Sequence, residues 1–128
     1  MRYRSLLLSF LFVGTLAVSA CSGSDATPTI SLASIKLTTN PNPPILGKIE
    51  LIITITDVNG QPLDEAEVFV FSSHTEMTSM AMNGKAIAKG SGQYALQTNF
   101  PMNGRWKITV QVKKPPLNIT ESFIVDFK

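Results

Sequence analysis

The side chains of this chain that could bind a ligand are concentrated in residues 74–82. Three of the four methionines other than the initiator, Met77, Met80 and Met82, lie there together with the only histidine, His74. Thioether sulfur is a soft, neutral ligand that suits Cu(I), and imidazole suits copper in both oxidation states. Outside the cytoplasm, methionine also avoids the disulfide chemistry that disables cysteine ligands. The combination predicts a site for Cu(I).

The spacing of these residues determines how they could meet. Met80 and Met82 are two residues apart and share one face if the segment is extended, whereas His74 and Met77 would have to fold back toward them. The fourth methionine, Met102, lies in a later segment. The candidate metal ligands are therefore His74, Met77, Met80, Met82 and Met102.

A structural interpretation of the same residues stays open. Methionine is a flexible filler of irregular gaps in a core, and His74 could cap the end of a strand by hydrogen bonding to the backbone. Glu76 is expected to be a solvated loop residue. The segment around the methionines is polar, however, with threonine, serine and asparagine side chains. Buried filler is usually surrounded by aliphatic residues instead.

The composition excludes most catalytic chemistry. With 1 cysteine and 1 histidine, the chain has no internal disulfide, no multi-cysteine metal site and no usual histidine-based catalytic set. It has no glycine-rich phosphate loop, and the adjacent carboxylates Asp64 and Glu65 lie in a turn sequence. If Arg2 and Arg4 are removed with an export signal, the remaining basic side chains equal the 9 acidic ones in number. We therefore expect neither an enzyme nor a nucleic-acid-binding protein.

The first twenty residues have the pattern of an export signal. Arg2 and Arg4 precede an apolar run, residues 6–20, that is too short to span a bilayer, which needs about 20 residues. The Val-Ser-Ala-Cys sequence that ends at Cys21 resembles the bacterial lipobox, in which the cysteine receives a diacylglyceryl group and becomes the N-terminus. This resemblance implies an extracytoplasmic protein that is lipid-anchored to a bacterial membrane through Cys21. The alternative is a secreted protein in which Cys21 is an ordinary thiol.

The residue after Cys21 is Ser22, not aspartate, which in a Gram-negative host favours the outer membrane. Residues 21–29 are mostly small and polar, and we expect them to form a flexible tether. Residues 30–128 are then the single folded domain, since their number suffices for one core.

The domain has the period-two alternation of β-strands. We predict seven strands, at residues 30–37, 49–56, 67–71, 85–89, 93–97, 105–112 and 119–127. The third is apolar on both faces, which predicts a central strand. Glu121 falls on the apolar side of the last strand, so we expect it at the exposed end. Turn signals between these short strands indicate an all-β, immunoglobulin-like Greek-key β-sandwich.

Three short motifs carry a family resemblance. Residues 57–63 read D-x-x-G-x-P-L, residues 92–94 read G-x-Y, and residues 101–106 read P-M-x-G-x-W. In this order, and with the methionine segment between the first two, they resemble the YtkA-like family of small extracytoplasmic β-sandwich domains. The resemblance covers residues 35–128. It implies an immunoglobulin-like fold, a role in extracytoplasmic copper handling, and the five candidate ligands named above. Tyr94 and Trp106 are interpreted as corner and core residues.

Two functions from different classes follow. The leading hypothesis is a membrane-anchored lipoprotein that binds Cu(I) and buffers it, or passes it by ligand exchange to a copper-accepting envelope protein. The alternative is an immunoglobulin-like interaction module without a metal, which would bind another envelope protein through a sheet face or an edge strand. In that case the methionine segment would be an adaptable apolar contact.

Overall fold

The structure is a computed structural model that describes residues 33–128, in which all regular structure is β. The strands are β1 (Ala33–Asn40), β2 (Gly47–Asp57), β3 (Glu67–His74), β4 (Ala81–Lys85), β5 (Ile87–Gly90), β6 (Gln93–Phe100), β7 (Gly104–Lys114) and β8 (Leu117–Phe127). Within these residues no helix is long and apolar enough to cross a bilayer. The predicted signal (1–20), Cys21 and the tether (21–29) lie outside the described residues, as do residues 30–32 of the predicted domain.

The eight strands form two four-stranded antiparallel sheets. The first has the order β1-β2-β6-β5 and the second the order β4-β3-β7-β8. This is the strand arrangement of an immunoglobulin sandwich with one additional strand, β4, at the edge of the second sheet. The predicted fold class is confirmed.

The core lies between the sheets and is built by the alternation that the sequence shows. In β2, Ile49, Leu51, Ile53 and Ile55 are all buried, and in β7 the same is true of the four alternate residues from Trp106 to Val112. Successive side chains of a strand point to opposite faces, so one face of each strand enters the core. β2 and β7 are interior strands of their sheets, and they supply much of the apolar surface of the core.

The strand predicted at residues 85–89 is wrong as a single element, and this accounts for eight strands instead of seven. The chain changes sheets at Ala86, which is buried and whose amide N–H donates to the carbonyl of Val68 at 2.8 Å. Lys85 before it pairs with Phe69 in the second sheet, and Ile87 after it pairs with Ala95 in the first. The crossing residue itself is neither proline nor glycine, and the turn dipeptide Asn83-Gly84 just before it lies inside β4, so the sequence does not mark where the chain changes sheets.

The third strand is central, as predicted, but it is buried on one face only. On its outer face Phe71 is 45% exposed. The ring of Phe69 has the Nζ atoms of Lys85 and Lys113 at 5.7 and 5.6 Å from its centroid. The outer aromatic surface is therefore partly covered by lysine side chains, which can lie over aromatic rings, and not by another layer of structure.

Glu121 lies in the middle of β8, opposite Val110, and not at a strand end. It is nevertheless exposed. Because β8 is an edge strand, a carboxylate on its inward face can still reach water, and an inward charge at an edge also disfavours pairing with another chain. The prediction of its position was wrong, whereas the prediction of its exposure is confirmed.

Three loops meet at one end of the sandwich, which we call the methionine pole: residues 41–46, 75–80 and 101–103. The first links β1 to β2, the second β3 to β4, and the third crosses from β6 to β7. Strand β1 begins at the other end, where Ala33 pairs with Asp57. The described chain therefore enters the fold at the end opposite the methionine pole.

Candidate functional site

His74, the last residue of β3, is buried, and both of its ring nitrogens are hydrogen-bonded to the backbone. Nδ1 accepts the amide N–H groups of Glu76 and Met77, each at 3.2 Å. Nε2 lies 3.1 Å from the carbonyl oxygen of Asn103. A carbonyl oxygen can only accept, so the ring proton is on Nε2 and the lone pair of Nδ1 faces the two amides. In this conformation neither nitrogen is free for a metal, which matches the capping interpretation of His74.

The imidazole joins two of the three loops of the methionine pole. Through Nδ1 it holds the start of loop 75–80, and through Nε2 it holds loop 101–103. The backbone supports the same junction, because the amide of Thr75 donates to the carbonyl of Arg105 at 2.9 Å and its hydroxyl donates there at 3.0 Å. The two methionine-bearing loops are therefore fixed to one another at the end of the second sheet.

Beneath these loops lies a cluster of buried rings. His74 meets Trp106 edge to face with centroids 5.3 Å apart, and Phe100 meets Trp106 in the same way at 5.0 Å. Phe100 stacks on Phe127 at 4.1 Å. Offset and edge-to-face pairs add about 0.5–1.5 kcal/mol each beyond the area they bury. The loops therefore rest on a rigid aromatic base.

The P-M-x-G-x-W motif has a structural explanation at this base. The indole N–H of Trp106 donates to the carbonyl of Met102 at 3.1 Å. The carbonyl of Asn103 accepts a hydrogen bond from Nε2 of His74. Gly104 has φ +108°, and a Cβ there would lie 2.7 Å from Nε2 of His74. Glycine is needed at this position both for its backbone conformation and for the space that the imidazole occupies.

Met80 and Met82 lie on the inward face of the second sheet. Met82 pairs with Ser72, which is buried, and paired residues of an antiparallel ladder point to the same face. Met80 continues this ladder, since its carbonyl accepts the amide of His74 at 3.1 Å. Both side chains are half-buried and pack against the core. They share one face, as their spacing predicts.

The other two methionines lie in the loops of the same pole. Met102 is half-buried and packs against the core, whereas Met77 is 44% exposed. The amide of Met80 donates to the carbonyl of Met77 at 2.9 Å, which closes the turn between them. The structure thus brings all four methionines to one end of the sandwich, three of them half-buried at its core and one open to solvent.

The chemistry of this pole is that of neutral sulfur. Among the side chains of loops 41–46, 75–80 and 101–103, Glu76 is the one charged group. No group of three or more histidine, cysteine, aspartate or glutamate side chains that could hold a metal occurs within residues 33–128. The donors available at the pole are thioethers, which fit a soft monovalent ion such as Cu(I) and do not fit Zn²⁺, Ca²⁺ or Mg²⁺.

Two features of the pole were not foreseen from the sequence. One is the role of Gly104, for which the glycine inside the P-M-x-G-x-W motif was the available signal. The other is loop 41–46, in which Ile45 and Leu46 are 53% and 43% exposed. Its many prolines indicated only a break between strands.

The other two family motifs build the opposite end of the sandwich. In the D-x-x-G-x-P-L turn, Oδ1 of Asp57 accepts the amides of Asn59 and Gln61 at 2.8 and 3.0 Å. The hydroxyl of Tyr94, in the G-x-Y motif, donates to the carbonyl of Leu63 at 2.8 Å and accepts the amide of Ala66 at 3.0 Å. The interpretation of Tyr94 as a corner residue and of Trp106 as a core residue matches their contacts and burial.

A groove of about 600 Å³ lies along the first sheet, at the end nearer the methionine pole. None of the candidate ligands lines it. The residues that line it belong to β1, β2 and β6 and are mostly polar: Asn40, Lys48, Ile49, Glu50, Gln97, Thr98 and Asn99.

The solved structures similar to this chain include two crystal structures of Parabacteroides merdae β-glucuronidase, the second with glycerol in its active site. They share 15% and 13% sequence identity with this chain, with TM-scores of 0.46 and 0.47. Each similarity covers 75% of this chain but only 14% and 13% of the enzyme. The chain therefore spans about a seventh of the length of those proteins.

Comparison with curated proteins finds no match. A sequence model of the YtkA-like family, in contrast, matches residues 30–111. The match includes β1 to β6, the methionine segment, the P-M-x-G-x-W motif and most of β7. The family resemblance of the sequence is confirmed: the chain belongs to the YtkA-like family.

Proposed function

We propose that this protein binds Cu(I) through the thioethers of the methionine pole and carries or buffers the ion outside the cytoplasm. It acts as a binding protein and not as an enzyme, and Cys21 anchors it by lipid to a bacterial membrane. Copper is its cargo. The ion leaves by ligand exchange, because neutral thioethers release Cu(I) to a partner protein with stronger ligands.

The observation that carries this proposal is the collection of all four methionines at one pole. Met80 and Met82 share the inward face beside Ser72. Met102 lies on loop 101–103, which the imidazole of His74 holds through the carbonyl of Asn103. Half-buried thioethers on an aromatic base combine two properties that a cargo site needs. The base limits the movement of the ligands, and the remaining exposure gives an incoming ion access.

Exchange with a partner is supported by the exposure of Met77 and by the direction of the chain. Met77 is 44% exposed and could contact an incoming or departing ion first. β1 begins at the far end and runs eight residues toward the pole, which is about 26 Å of extended chain. A lipid on Cys21, upstream of Ala33, would then be joined to the fold at the end away from the methionine pole, and a flexible tether would leave the pole open to a copper-accepting partner.

The proposal is tested by observing each methionine separately. The chain without its signal, with Cys21→Ser to remove the thiol, is labelled with ¹³C at the methionine methyl groups and titrated anaerobically with Cu(I). We expect the methyl signals of Met80, Met82 and Met102 to shift together and to saturate at one equivalent. Zn²⁺, added as a control, is expected to shift none of them. If Cu(I) shifts no methyl signal, or shifts only that of exposed Met77 without saturation, the copper function is wrong.

A second function is favoured by a different observation at the same pole. Ile45, Leu46 and Met77 are 53%, 43% and 44% exposed, on loops that carry little charge. Depletion of charge around exposed apolar side chains is typical of protein interfaces. In an interaction module without a metal, Ile45→Ser with Leu46→Ser would abolish capture of an envelope partner whether or not copper is present. For a copper carrier, transfer to the partner depends on Cu(I) loading.

A further inference from the structure

We propose that His74 is a positioning residue and not a copper ligand, so that the Cu(I) site consists of thioethers alone. The inference rests on the proposed function for the identity of the ion. Its structural part, that one imidazole holds the two methionine-bearing loops together, stands on the contacts of the ring and can be tested without copper.

Every polar atom of the His74 ring already has a partner. Nδ1 accepts the amides of Glu76 and Met77, and Nε2 donates to the carbonyl of Asn103. Binding of a metal by Nδ1 would leave two amides without their acceptor. Binding by Nε2 would require loss of its proton and of the Asn103 contact. Unpaired backbone groups in a part-buried site are costly, and Cu(I) would have to compensate for them.

The ring also has no room to turn. His74 is 4% exposed and packs edge to face on Trp106. On another side, the Cα of Gly104 is so close that a Cβ there would lie 2.7 Å from Nε2. The ring is therefore confined by an indole, a glycine backbone and its own hydrogen bonds.

The confined ring and its backbone also position the segments that carry the methionines. The amide held by Nδ1 at 3.2 Å is that of Met77 itself, and the carbonyl held by Nε2 follows Met102 by one residue. The backbone of His74 also holds Met80, whose carbonyl accepts its amide at 3.1 Å. One residue therefore holds the backbone at or next to three of the four candidate sulfur ligands, and a metal bound to either ring nitrogen would disrupt one of these attachments.

The direct test uses the wild-type ring with Cys21→Ser and ¹⁵N-labelled histidine. Before copper is added, we expect the NMR signals of a ring protonated at Nε2 with a bare Nδ1, since the hydrogen bonds require this form. After one equivalent of Cu(I), we expect the methionine methyl signals to shift while both histidine nitrogens keep their chemical shifts. X-ray absorption of the complex should show sulfur neighbours and no nitrogen neighbour. A large shift of either nitrogen on Cu(I) binding, or a nitrogen neighbour, would overturn the inference.

Variants test the positioning role through rescue. Asn places an amide oxygen near the position of Nδ1, and Gln places an amide nitrogen near that of Nε2, whereas neither amide is a good ligand for Cu(I). We expect His74→Phe to weaken Cu(I) binding about 10-fold or more, which corresponds to about 1.4 kcal/mol or more. His74→Asn and His74→Gln should each recover part of the loss. If both bind as weakly as His74→Phe while folded, His74 does not act by positioning.

The outcomes separate this inference from the proposed function. If Cu(I) binds with a nitrogen ligand, the copper function stands and the positioning role is wrong. If no Cu(I) binds, the copper function is wrong. In that case two measurements still decide whether His74 joins the two loops. The ring should be protonated at Nε2, and the Glu76 and Met77 amides should exchange slowly in the wild type and fast in His74→Phe.

Discussion

Gly104 and His74 pack so closely that a methyl group on Gly104 would lie 2.7 Å from Nε2 of the imidazole. The contact lies where the β6–β7 crossing meets the end of β3, and it explains why a glycine stands between Met102 and Trp106. It also means that the position of the imidazole can be changed by a substitution that removes none of the candidate ligands.

Gly104→Ala tests this contact, with Gly47→Ala as a matched control. Both glycines have positive φ, +108° and +99°, so an alanine at either position strains the backbone by about 1–3 kcal/mol. Nothing lies within 4 Å of a Cβ at Gly47. We therefore expect Gly104→Ala to lower the free energy of unfolding more than Gly47→Ala does, and to weaken Cu(I) binding as well. Equal losses in urea unfolding would show that the contact with His74 has no energetic consequence.

Replacement of the methionines by leucine should remove the ligands and keep the fold. Met80 and Met82 are half-buried against the core, and an exchange of Met for Leu usually costs less than about 1.5 kcal/mol. We expect Met80→Leu with Met82→Leu to stay folded by circular dichroism and to lose Cu(I) affinity by about 10-fold or more, or about 1.4 kcal/mol or more. Met77→Leu, at an exposed position, should change affinity less. A double variant that binds as the wild type does would exclude these sulfurs as ligands.

Tyr94 provides a control at the opposite end of the sandwich. Tyr94→Phe leaves the amide of Ala66 and the carbonyl of Leu63 without their partner, so we expect unfolding to become easier by about 1–3 kcal/mol. Cu(I) affinity should not change, because the hydroxyl lies far from the methionine pole. Loss of copper binding in the folded variant would mean that binding depends on the whole sandwich and not on a local site.

Trp106→Phe should loosen loop 101–103. The change removes the hydrogen bond from the indole N–H to the carbonyl of Met102 and shrinks a fully buried side chain. We expect a loss of about 1–3 kcal/mol in unfolding free energy, from the unpaired carbonyl and the smaller ring. Faster hydrogen exchange at Asn103 and Gly104 should accompany it, while amides of the β5–β6 turn keep their rates. If protection falls equally at both ends, Trp106 stabilises the core as a whole and does not hold this loop.

Much of the fold could be predicted because it depends on local alternation. In β2 and β7 every second residue is apolar, and a period of two specifies both a strand and its buried face. The crossing at Ala86 could not be predicted in this way. Its cause is the pairing of Ile87 with Ala95 in the other sheet, and the nearby turn dipeptide, Asn83-Gly84, lies inside β4 and not at the crossing.

The candidate site divides in the same manner. The spacing of Met80 and Met82 predicts a shared face. The structure has this arrangement because both residues lie in the ladder beside β3. The role of His74 depends on Asn103, which is 29 residues away, so no local pattern could reveal that its second nitrogen is occupied. Residue types gave the donor atoms, but only tertiary contacts show which of them are already engaged.

The most direct test of the account is an anaerobic Cu(I) competition titration against a chromophoric chelator. It uses the chain without its signal and with Cys21→Ser, because a free thiol would bind copper by itself. We predict tight binding of one Cu(I) that is retained in Tyr94→Phe and lost in the Met80→Leu, Met82→Leu double variant. Failure of the protein to compete above a weak background would contradict the copper function. The pole of exposed Ile45, Leu46 and Met77 would then be studied as a protein interface.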